Sequence, residues 1–223
     1  MAATVLTMPG PANETWVNNT AQRARWKLAI KRAVDVSGSA MALVGLSPVM
    51  LLIALMVKLQ DGGPVIYRRR VVGPKGEFDA FKFRSMRADA DQVLKADPEL
   101  RRLFEINYKL RNDPRVTAVG AVIRRHSLDE LPQLLNVLLG QMTLVGPRTI
   151  TAPELTKYRD HASLLMSVKP GLTGYWQVNG RHRVSYEERV KMDVHYIKNW
   201  SLAMDLRILL ETPVKVLKAE GAF

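Results

Sequence analysis

The feature that most constrains the fold of this chain is a run of twenty-two residues without a charged side chain. It extends from Val36 to Val57 and reads VSGSAMALVGLSPVMLLIALMV. As one straight helix the run would be about 33 Å long, enough to cross the hydrocarbon core of a bilayer. It starts too deep in the chain for a secretory signal peptide and has no small-residue cleavage site. We therefore expect it to lie in a membrane.

Ser47 and Pro48 interrupt this run at its centre. Proline removes a backbone donor and clashes with the carbonyl four residues earlier, so a helix bends there. The Ser47 hydroxyl can bond to the backbone that Pro48 frees. Lysine and arginine residues flank both ends of the run, and positive charge marks the cytoplasmic side of a membrane. The sequence thus favours a re-entrant hairpin that dips into one leaflet and returns, and a kinked transmembrane helix is the alternative.

The charge of the chain indicates an anionic partner. There are 33 lysine and arginine residues against 21 aspartate and glutamate residues, a net charge of +12. Phospholipid head groups, nucleic acid or phosphorylated substrates would all fit this balance. Just before the apolar run, we expect Lys31 and Arg32 to contact head groups and Asp35 to form a local ion pair. The lack of cysteine excludes disulfides, thiolate zinc sites and cysteine nucleophiles.

The rest of the chain predicts an α+β domain that is mainly helical. The runs VIYRRRVV and EFDAFKFRSM on either side of a Gly-Pro-Lys-Gly turn predict a β-hairpin. The segment from Lys169 to Trp176 is rich in turn formers and predicts a loop. Helices are expected over 88–106 with a break at Pro98, from Ala152 to Ser167, from Ser185 to Asn199 and from Ser201 to Lys218. The last helix has an apolar stripe, suited to a core or to a membrane interface, at Leu202, Leu206, Leu209, Pro213 and Leu217.

Two adjacent carboxylates, Asp129 and Glu130, lie in the sequence SLDELPQ between a cationic cluster and an apolar run. Ser127 and Glu130 have the spacing of a capping box, which would make the acids part of a helix start. Pro132 favours a second interpretation, in which the helix begins at the proline, because proline prefers the first helical position. In either register the carboxylates lie at the positive end of a helix, where a phosphate is also stabilised.

Neighbouring carboxylates are suited to phosphoryl chemistry. One can attack phosphorus and form an acyl phosphate, which splits one transfer into two steps. Glycoside hydrolysis would instead need carboxyl groups on opposite sides of a bond. Lysine, arginine and a divalent metal neutralise charge in such reactions, and Lys82, Arg124 and Arg148 are candidates. Glu130 offers hard oxygen atoms that suit Mg²⁺.

Several ordered motifs resemble the bacterial sugar transferase family, the monotopic polyprenyl-phosphate phosphoglycosyl transferases. They are KRAVDVSGSAMALVGLSPVMLL, FKFRSM, NDPRVTAVGAVIRRHSLDELPQLLNVLLGQMTLVGPR, KPGLTGYWQVNGR and MDVHYIKNWSLAMDLRILLET. The third motif is most similar to exopolysaccharide-initiating hexose-1-phosphate transferases. Together with the patterns above, the resemblance implies a mobile tail (1–28), a re-entrant membrane helix (29–60) and a cytoplasmic catalytic domain with interfacial helices (61–223). The protein would then lie at the cytoplasmic face of the bacterial inner membrane.

The resemblance also implies a reaction. A UDP-sugar, with galactose or glucose as the expected sugar, would give its sugar 1-phosphate to undecaprenyl phosphate and release UMP. Asp129 would be the nucleophile that forms a phospho-sugar intermediate, and Glu130 would bind Mg²⁺. The cations expected near the phosphates are Arg124, Arg148 and, as a weaker match, Lys82. Ser47 and Pro48 match the break in the re-entrant helix of the family, and membrane lipids are expected partners, whereas nucleic acid is not.

Some residues leave alternatives open. Arg181 is a candidate contact of the nucleotide or a surface charge, and Asp193 and Asp205 match recurring family acids but also suit helix-surface or capping roles. Thr149 stands where the family usually has a second proline, so we expect the loop around Arg148 to be less rigid. A non-enzymatic basic membrane scaffold, a nucleic-acid binder and an acyl-phosphate hydrolase are the rival interpretations.

Overall fold

The structure is a computed structural model that describes residues 25–107, 110, 113–180 and 184–217. Its strands are β1 (Ile66–Gly73), β2 (Gly76–Phe83), β3 (Thr143–Val145) and β4 (Gly171–Thr173). Its helices are α1 (Arg25–Gly45), α2 (Ser47–Asp61), α3 (Ala90–Ala96), α4 (Pro98–Asn107), α5 (Ala118–Arg125), α6 (Gln133–Leu138), α7 (Ala152–Leu155), α8 (Ala162–Met166), α9 (Tyr175–Asn179), α10 (Tyr186–Asn199) and α11 (Leu202–Leu217). The α+β class and the mainly helical domain are confirmed.

The predicted β-hairpin and most of the predicted helices are present. Strands β1 and β2 pair antiparallel from Ile66 opposite Phe83 to Gly73 opposite Gly76. Helices α3 and α4 are separated at Pro98, as expected, and α10 and α11 agree with their predicted bounds within one residue. Ser185 closes a capping box with Glu188 at the start of α10. The two runs around the Gly-Pro-Lys-Gly turn and the break at Pro98 therefore predicted these local elements.

The N-terminal helices α1 and α2 form a bent pair. Their axes differ by 62° across Leu46, and within the described residues no single helix is long and apolar enough to cross a membrane, although this pair passes the same test together. The Ser47 hydroxyl donates a hydrogen bond of 2.7 Å to the carbonyl of Val44. That carbonyl lies four residues before Pro48 and has lost its usual N–H partner. The predicted compensation by Ser47 is therefore confirmed.

The bent pair leaves much of its apolar surface uncovered. Ile53 and Val57 pack against Phe83 and Ile123 of the globular part. The exposed apolar side chains on the other faces of the pair include Met41, Val44, Leu51, Leu52, Leu55 and Leu59. Such an extensive apolar surface needs a covering partner.

The N-terminal half of α1 is docked on the globular part through charged side chains. Lys31 donates 2.6 Å to the carboxylate of Asp205, and Arg32 donates to the carbonyls of Val137 and Leu138 at 2.6 and 2.8 Å. Asp35 is 4% exposed and accepts bonds from β3. The expectation that these residues contact head groups and form a local ion pair is wrong, because their partners lie far away in the sequence. Helix α1 already begins at Arg25, so residues 25–28 are helical, and residues 1–24 of the predicted tail lie outside the described residues.

Strands β3 and β4 form a short parallel pair that the sequence did not predict. Thr143 is in register with Gly171, and Val145 with Thr173. The backbones approach so closely that a Cβ atom on Gly171 would lie 2.1 Å from the nitrogen of Gly146. The expected loop from Lys169 to Trp176 is therefore wrong, because its glycines serve strand contact and are followed by α9.

The predicted helix from Ala152 to Ser167 is broken in the structure. Helix α7 is followed by a 3₁₀ segment (Thr156–His161), and Arg159 has a φ of 46° there before α8 begins. The break turns Tyr158 into the core, where it packs with Ile197 and Ile208. Burial of Tyr158 explains why the chain departs from one continuous helix.

Helix α11 carries its buried and exposed faces differently from the prediction. Asp205 and Ile208 are buried. An apolar face at helical spacing is instead exposed, with Leu206 at 59%, Leu210 at 68% and Val214 at 50%. Leu206 of the predicted stripe is thus exposed, which contradicts a core role for that residue, and the polar Asp205 takes part of the inward face.

Candidate active site

The segment SLDELPQ adopts a tight turn rather than a capping box. Ser127 has a φ of 54° and its side chain makes no cap hydrogen bond. Residues Leu128–Glu130 form a single 3₁₀ turn, and α6 begins after Pro132, which occupies the cap position. The capping-box interpretation is wrong, whereas a helix start at Pro132 is correct within one residue. A proline inside a helix started at Ser127 would have lacked an N–H bond.

Asp129 is buried beside a second acid. Burial raises the pKa of Asp129 to about 6, and the charge of Glu130 adds to this rise while Lys82 opposes it. Arg124, in the last turn of α5, also lowers the pKa of Asp129 through its charge. A carboxylate that is expensive to ionise and lies among cations is typical of reactive sites.

Glu130 is the anionic partner of two predicted cations. The Nζ atom of Lys82 lies 2.6 Å from Glu130 Oε1, and a guanidinium nitrogen of Arg148 lies 3.5 Å from the same oxygen. Burial alone would raise the pKa of Glu130, but Lys82, Arg148 and Arg69 outweigh it and lower the pKa to about 2. The surroundings therefore shift the pKa values of the two neighbouring acids in opposite directions, and Glu130 stays charged at any physiological pH.

The structure brings four predicted site residues together from three separate segments. Lys82 comes from β2, Asp129 and Glu130 from the 3₁₀ turn, and Arg148 from the loop after β3. Arg84, two residues after Lys82, pairs with Asp61 at the end of α2. Ser47 and Pro48 form the bend of the N-terminal helices. Arg181 lies outside the described residues.

Several residues of the site were missed by the sequence analysis. Arg148 rests on the ring of Trp176, with 5.5 Å from Cζ to the ring centroid, and Arg189 contacts the same ring at 5.3 Å. Arg69 pairs with Glu154 at 2.8 Å, and burial lowers the pKa of Arg69. The alternation of β1 puts Arg69 on the face of buried Val71, which is the one sequence signal that could have found it.

Asp193 is a fully buried acid behind Arg148. Tyr158 donates a 2.7 Å hydrogen bond to it. Burial raises the pKa of Asp193 to about 6, against the lowering effect of Arg189 and of both the charge and the backbone N–H of Arg148. A helix-surface role for Asp193 is therefore wrong, and Asp205 is likewise buried rather than on the surface.

The loop that presents Arg148 is tied down on both sides. Gly171 donates a 2.7 Å bond to the carbonyl of Pro147, and Val72 donates a 2.9 Å bond to the carbonyl of Ile150. Thr149, where a second proline was expected, is 3% exposed. These contacts restrict the loop around Arg148, and its lower rigidity relative to a loop with proline at position 149 stays a prediction.

The acids present could hold a divalent metal only with help from a substrate. Among the described residues, no group of three or more histidine and acidic side chains is placed to hold a metal ion. Mg²⁺ is commonly bound by one or two carboxylates together with phosphate oxygens and water. The ionised Glu130 fits the protein share of such a shell.

Comparison with known proteins gives consistent matches. Residues 26–219 match the family described as bacterial sugar transferase. Undecaprenyl-phosphate galactose phosphotransferase of Salmonella typhimurium is 47% identical over 92% of this chain and 44% of that protein. Exopolysaccharide production protein ExoY of Rhizobium meliloti is 45% identical over 86% of this chain and 88% of that protein. UDP-glucose:undecaprenyl-phosphate glucose-1-phosphate transferase of Xanthomonas campestris pv. campestris is 40% identical over 90% of this chain and 41% of that protein. The chain therefore spans less than half of the first and third of these relatives and most of the second.

Proposed function

The chain belongs to the bacterial sugar transferase family, and we propose that it transfers a sugar 1-phosphate from a UDP-sugar to undecaprenyl phosphate. UMP is the leaving product, and galactose or glucose is the sugar. The names of the Salmonella and Xanthomonas relatives specify undecaprenyl phosphate with galactose and glucose, and the name of ExoY specifies exopolysaccharide production. The proposed role is accordingly the first membrane step of exopolysaccharide synthesis.

One observation carries this proposal: a buried carboxylate with a raised pKa lies beside a charged one that is paired with two cations. The pKa of Asp129 is raised by burial to about 6, so its carboxylate is available at neutral pH yet poorly stabilised. Poor stabilisation favours an oxygen that gains by bonding to phosphorus. Lys82 and Arg148, which meet at Glu130, supply positive charge where a diphosphate would lie.

The proposed reaction has two displacements at one phosphorus atom. In the first, an oxygen of Asp129 attacks the phosphorus that bears the sugar, and the bond between this phosphorus and the bridging oxygen breaks. Its electron pair leaves with UMP. In the second, an oxygen of the lipid phosphate attacks the same phosphorus, and the bond to Asp129 breaks and restores the carboxylate. Lys82 and Arg148 neutralise the phosphate oxygens in both steps.

Glu130 has two roles in the proposed mechanism. Before substrate binds, its charge holds Lys82 and Arg148 at the place where the reacting phosphorus would lie. It is also the proposed ligand of Mg²⁺, which when bound would neutralise diphosphate oxygens and ease the departure of UMP. Arg124 and Arg181 are retained as proposed contacts of the substrate phosphates and nucleotide.

The proposed location is the cytoplasmic face of the bacterial inner membrane. The bent pair of α1 and α2 would enter one leaflet, and the exposed face of Leu206, Leu210 and Val214 on α11 would lie at the interface. Each buried apolar side chain contributes about 1.5–3 kcal/mol, whereas each surface cation contributes about 1 kcal/mol. Apolar insertion therefore dominates, and a high-salt wash should leave the protein on membranes. Release by salt would contradict insertion.

Side-specific labelling separates the re-entrant pair from a kinked transmembrane helix. The chain has no native cysteine, so single cysteines at the exposed positions Arg25 and Gln60 can be labelled without background. A re-entrant pair predicts that both react with an impermeant reagent from the same side of inverted vesicles. Labelling from opposite sides would establish the transmembrane alternative.

The decisive test of function is exchange of labelled UMP into UDP-galactose or UDP-glucose without undecaprenyl phosphate. A covalent half-reaction predicts exchange, together with a protein mass increase of one hexosyl phosphate after trapping. A scaffold or nucleic-acid binder would give no exchange, and an acyl-phosphate hydrolase would release sugar phosphate into water without a lipid acceptor. Product formation without exchange would indicate direct transfer and exclude the Asp129 intermediate.

A further inference from the structure

The last carbonyl of β3 is a meeting point of the membrane-proximal helix and the C-terminal helices. The Nζ atom of Lys31, on α1, donates a 2.8 Å hydrogen bond to the carbonyl of Val145. The hydroxyl of Tyr196, on α10, lies 2.9 Å from the same oxygen. Two helices that are distant in sequence therefore converge on one backbone atom.

Asp205, on α11, ties these two donors together. It receives Lys31 at 2.6 Å, Tyr196 at 2.7 Å and the indole N–H of Trp200 at 3.0 Å. Because Tyr196 has a single hydroxyl proton, that proton is shared between Asp205 and Val145. Asp205 is 6% exposed, so water cannot easily replace any of these bonds.

Helix α1 also holds the beginning of β3. One helical turn after Lys31, the carboxylate of Asp35 accepts hydrogen bonds from the hydroxyl of Thr143 at 2.8 Å and from the backbone N–H of Leu144 at 2.8 Å. Lys31 and Asp35 therefore grip β3 at both ends. We call the set of Lys31, Asp35, Tyr196 and Asp205 the α1–β3 clamp.

The clamp lies immediately before the loop that presents Arg148. Gly146 donates to Thr173 at 2.9 Å, and Pro147 accepts from Gly171 at 2.7 Å. The backbone between Val145 and Arg148 is thus bonded to β4 and continuous with β3. A shift of β3 must therefore move Arg148, whose guanidinium nitrogen lies 3.5 Å from Glu130 Oε1. A displacement of about 1 Å in a positioning group can cost about 10²-fold in rate.

We propose that Lys31 and Asp205 are positioning residues for Arg148, so that the contact of helix α1 with β3 sets the placement of a phosphate-binding cation. This inference rests on the proposed function. The clamp acts on β3, and only through β3 on Arg148, so its contribution to transfer disappears when the Arg148 side chain is absent. A purely structural clamp would instead affect activity equally with or without that side chain.

The test is a double-mutant cycle read out as UMP exchange in detergent or nanodiscs. Lys31→Met is expected to lower exchange about tenfold or more in the wild-type background and less than about twofold in Arg148→Ala. Lys31→Arg, which keeps the charge, should restore most of the activity. If Lys31→Met fails to fold, Tyr196→Phe removes one bond to Val145 and Asp205 and serves in the same cycle.

Arg32→Met is the matched control. Arg32 also crosses from α1 to the globular part, but it binds the carbonyls of Val137 and Leu138 in α6 and bypasses β3. Its effect on exchange should therefore be the same with and without the Arg148 side chain.

The outcomes separate the inference from the proposed function. If Lys31→Met lowers the exchange rate by the same factor with and without the Arg148 side chain, the inference is overturned. The proposed function is unaffected in that case, because the wild-type chain still catalyses exchange. Loss of the Lys31→Met effect in the Arg148→Ala background, with the Arg32→Met effect unchanged, supports the inference. Absence of exchange in the wild-type chain overturns the proposed function and the inference with it.

Discussion

The α1–β3 clamp and the candidate active site both bury carboxylates, but they partner them differently. In the clamp, Asp35 accepts from Thr143 and Leu144, and Asp205 accepts from three separate side chains. In the site, burial leaves Asp129 with a pKa of about 6. One region satisfies its acids with donors, and the other keeps an acid whose ionised form is costly.

This difference separates two uses of a buried charge. A carboxylate with well-aligned donors holds chain segments together, because losing it would leave those donors bare. A buried carboxylate with too few donors lowers the stability of the folded state, and its ionised form is more reactive. Substitutions in the two regions are therefore expected to change the free energy of unfolding in opposite directions.

The largest effect is expected for Asp129→Asn. UMP exchange should fall by about 10³-fold or more, because an amide does not form the phosphoryl intermediate. The same change should raise the free energy of unfolding at pH 7.5. The folded-state pKa of Asp129 is raised from 3.8 to about 6. The protonated side chain therefore stabilises the folded state at a pH below the unfolded pKa, and this stabilisation is lost as the pH rises through 6. At pH 7.5 the buried charge remains, and asparagine removes it. The gain from asparagine is at most about 3 kcal/mol.

Denaturation in detergent at pH 7.5 and at pH 4 measures this gain, which should shrink at the lower pH. A destabilised Asp129→Asn protein at neutral pH would break the contrast between the two regions.

The opposite sign is expected for Asp35→Ala. Two buried donors, the hydroxyl of Thr143 and the N–H of Leu144, lose their acceptor. The free energy of unfolding should fall by about 3 kcal/mol. Asp89→Ala, which removes an exposed partner of Arg87, should cause no measurable change. Equal stability of the two variants in the same denaturation assay would show that the clamp does not depend on this carboxylate.

A smaller effect is expected on the pH dependence of exchange. The rate should rise about tenfold per pH unit below 6 and level off above it, as Asp129 loses its proton. Lys82 lowers that pKa against the larger effect of burial, so Lys82→Met should move the rise to higher pH. Glu130, with a pKa of about 2, should not titrate in this range.

Profiles of kcat/KM between pH 5 and pH 8 for the wild type and Lys82→Met measure this shift. Arg87→Met, at an exposed ion pair, is the control and should keep the wild-type midpoint. A Lys82→Met profile displaced to lower pH would mean that Lys82 does not act on Asp129 by its charge.

The smallest effect is expected for Thr149→Pro, in the loop that connects the two regions. Hydrogen bonds at Pro147 and Ile150 already restrict this loop, so proline should change exchange by less than about twofold. Stability should change by about 1 kcal/mol or less. A several-fold increase in exchange would mean that the loop moves and that the clamp fixes Arg148 less firmly than its contacts suggest.

The local elements of this fold could be predicted because their causes are local. The two runs on either side of the Gly-Pro-Lys-Gly turn predicted the β-hairpin. The Ser47-Pro48 pair predicted both the bend and a bond from Ser47 to the backbone that Pro48 frees. The acids of SLDELPQ were found because two adjacent carboxylates beside arginines are unusual. Each of these signals spans fewer than about twenty residues.

The remaining features depend on contacts between distant residues. Lys31 and Asp205 are 174 positions apart. Helical spacing alone does not predict that a lysine before an apolar run contacts the globular part. The parallel pair of β3 and β4 is three residues long in each strand, too short for a periodic pattern. Arg69 was missed, and a helix-surface role was considered for Asp193, for the same reason. Their roles depend on burial, which is determined by tertiary packing.

The bend at Leu46 has a consequence for where the chemistry takes place. Helix α2 has 15 residues and is about 22 Å long, and α1 has its first turns committed to the globular part. If the pair is inserted in one leaflet as proposed, its insertion depth would determine the distance of Asp129 from the hydrocarbon core of the bilayer. A phosphate tethered to a long isoprenoid tail is confined to a narrow layer, so enzyme and acceptor would search for each other in two dimensions instead of three.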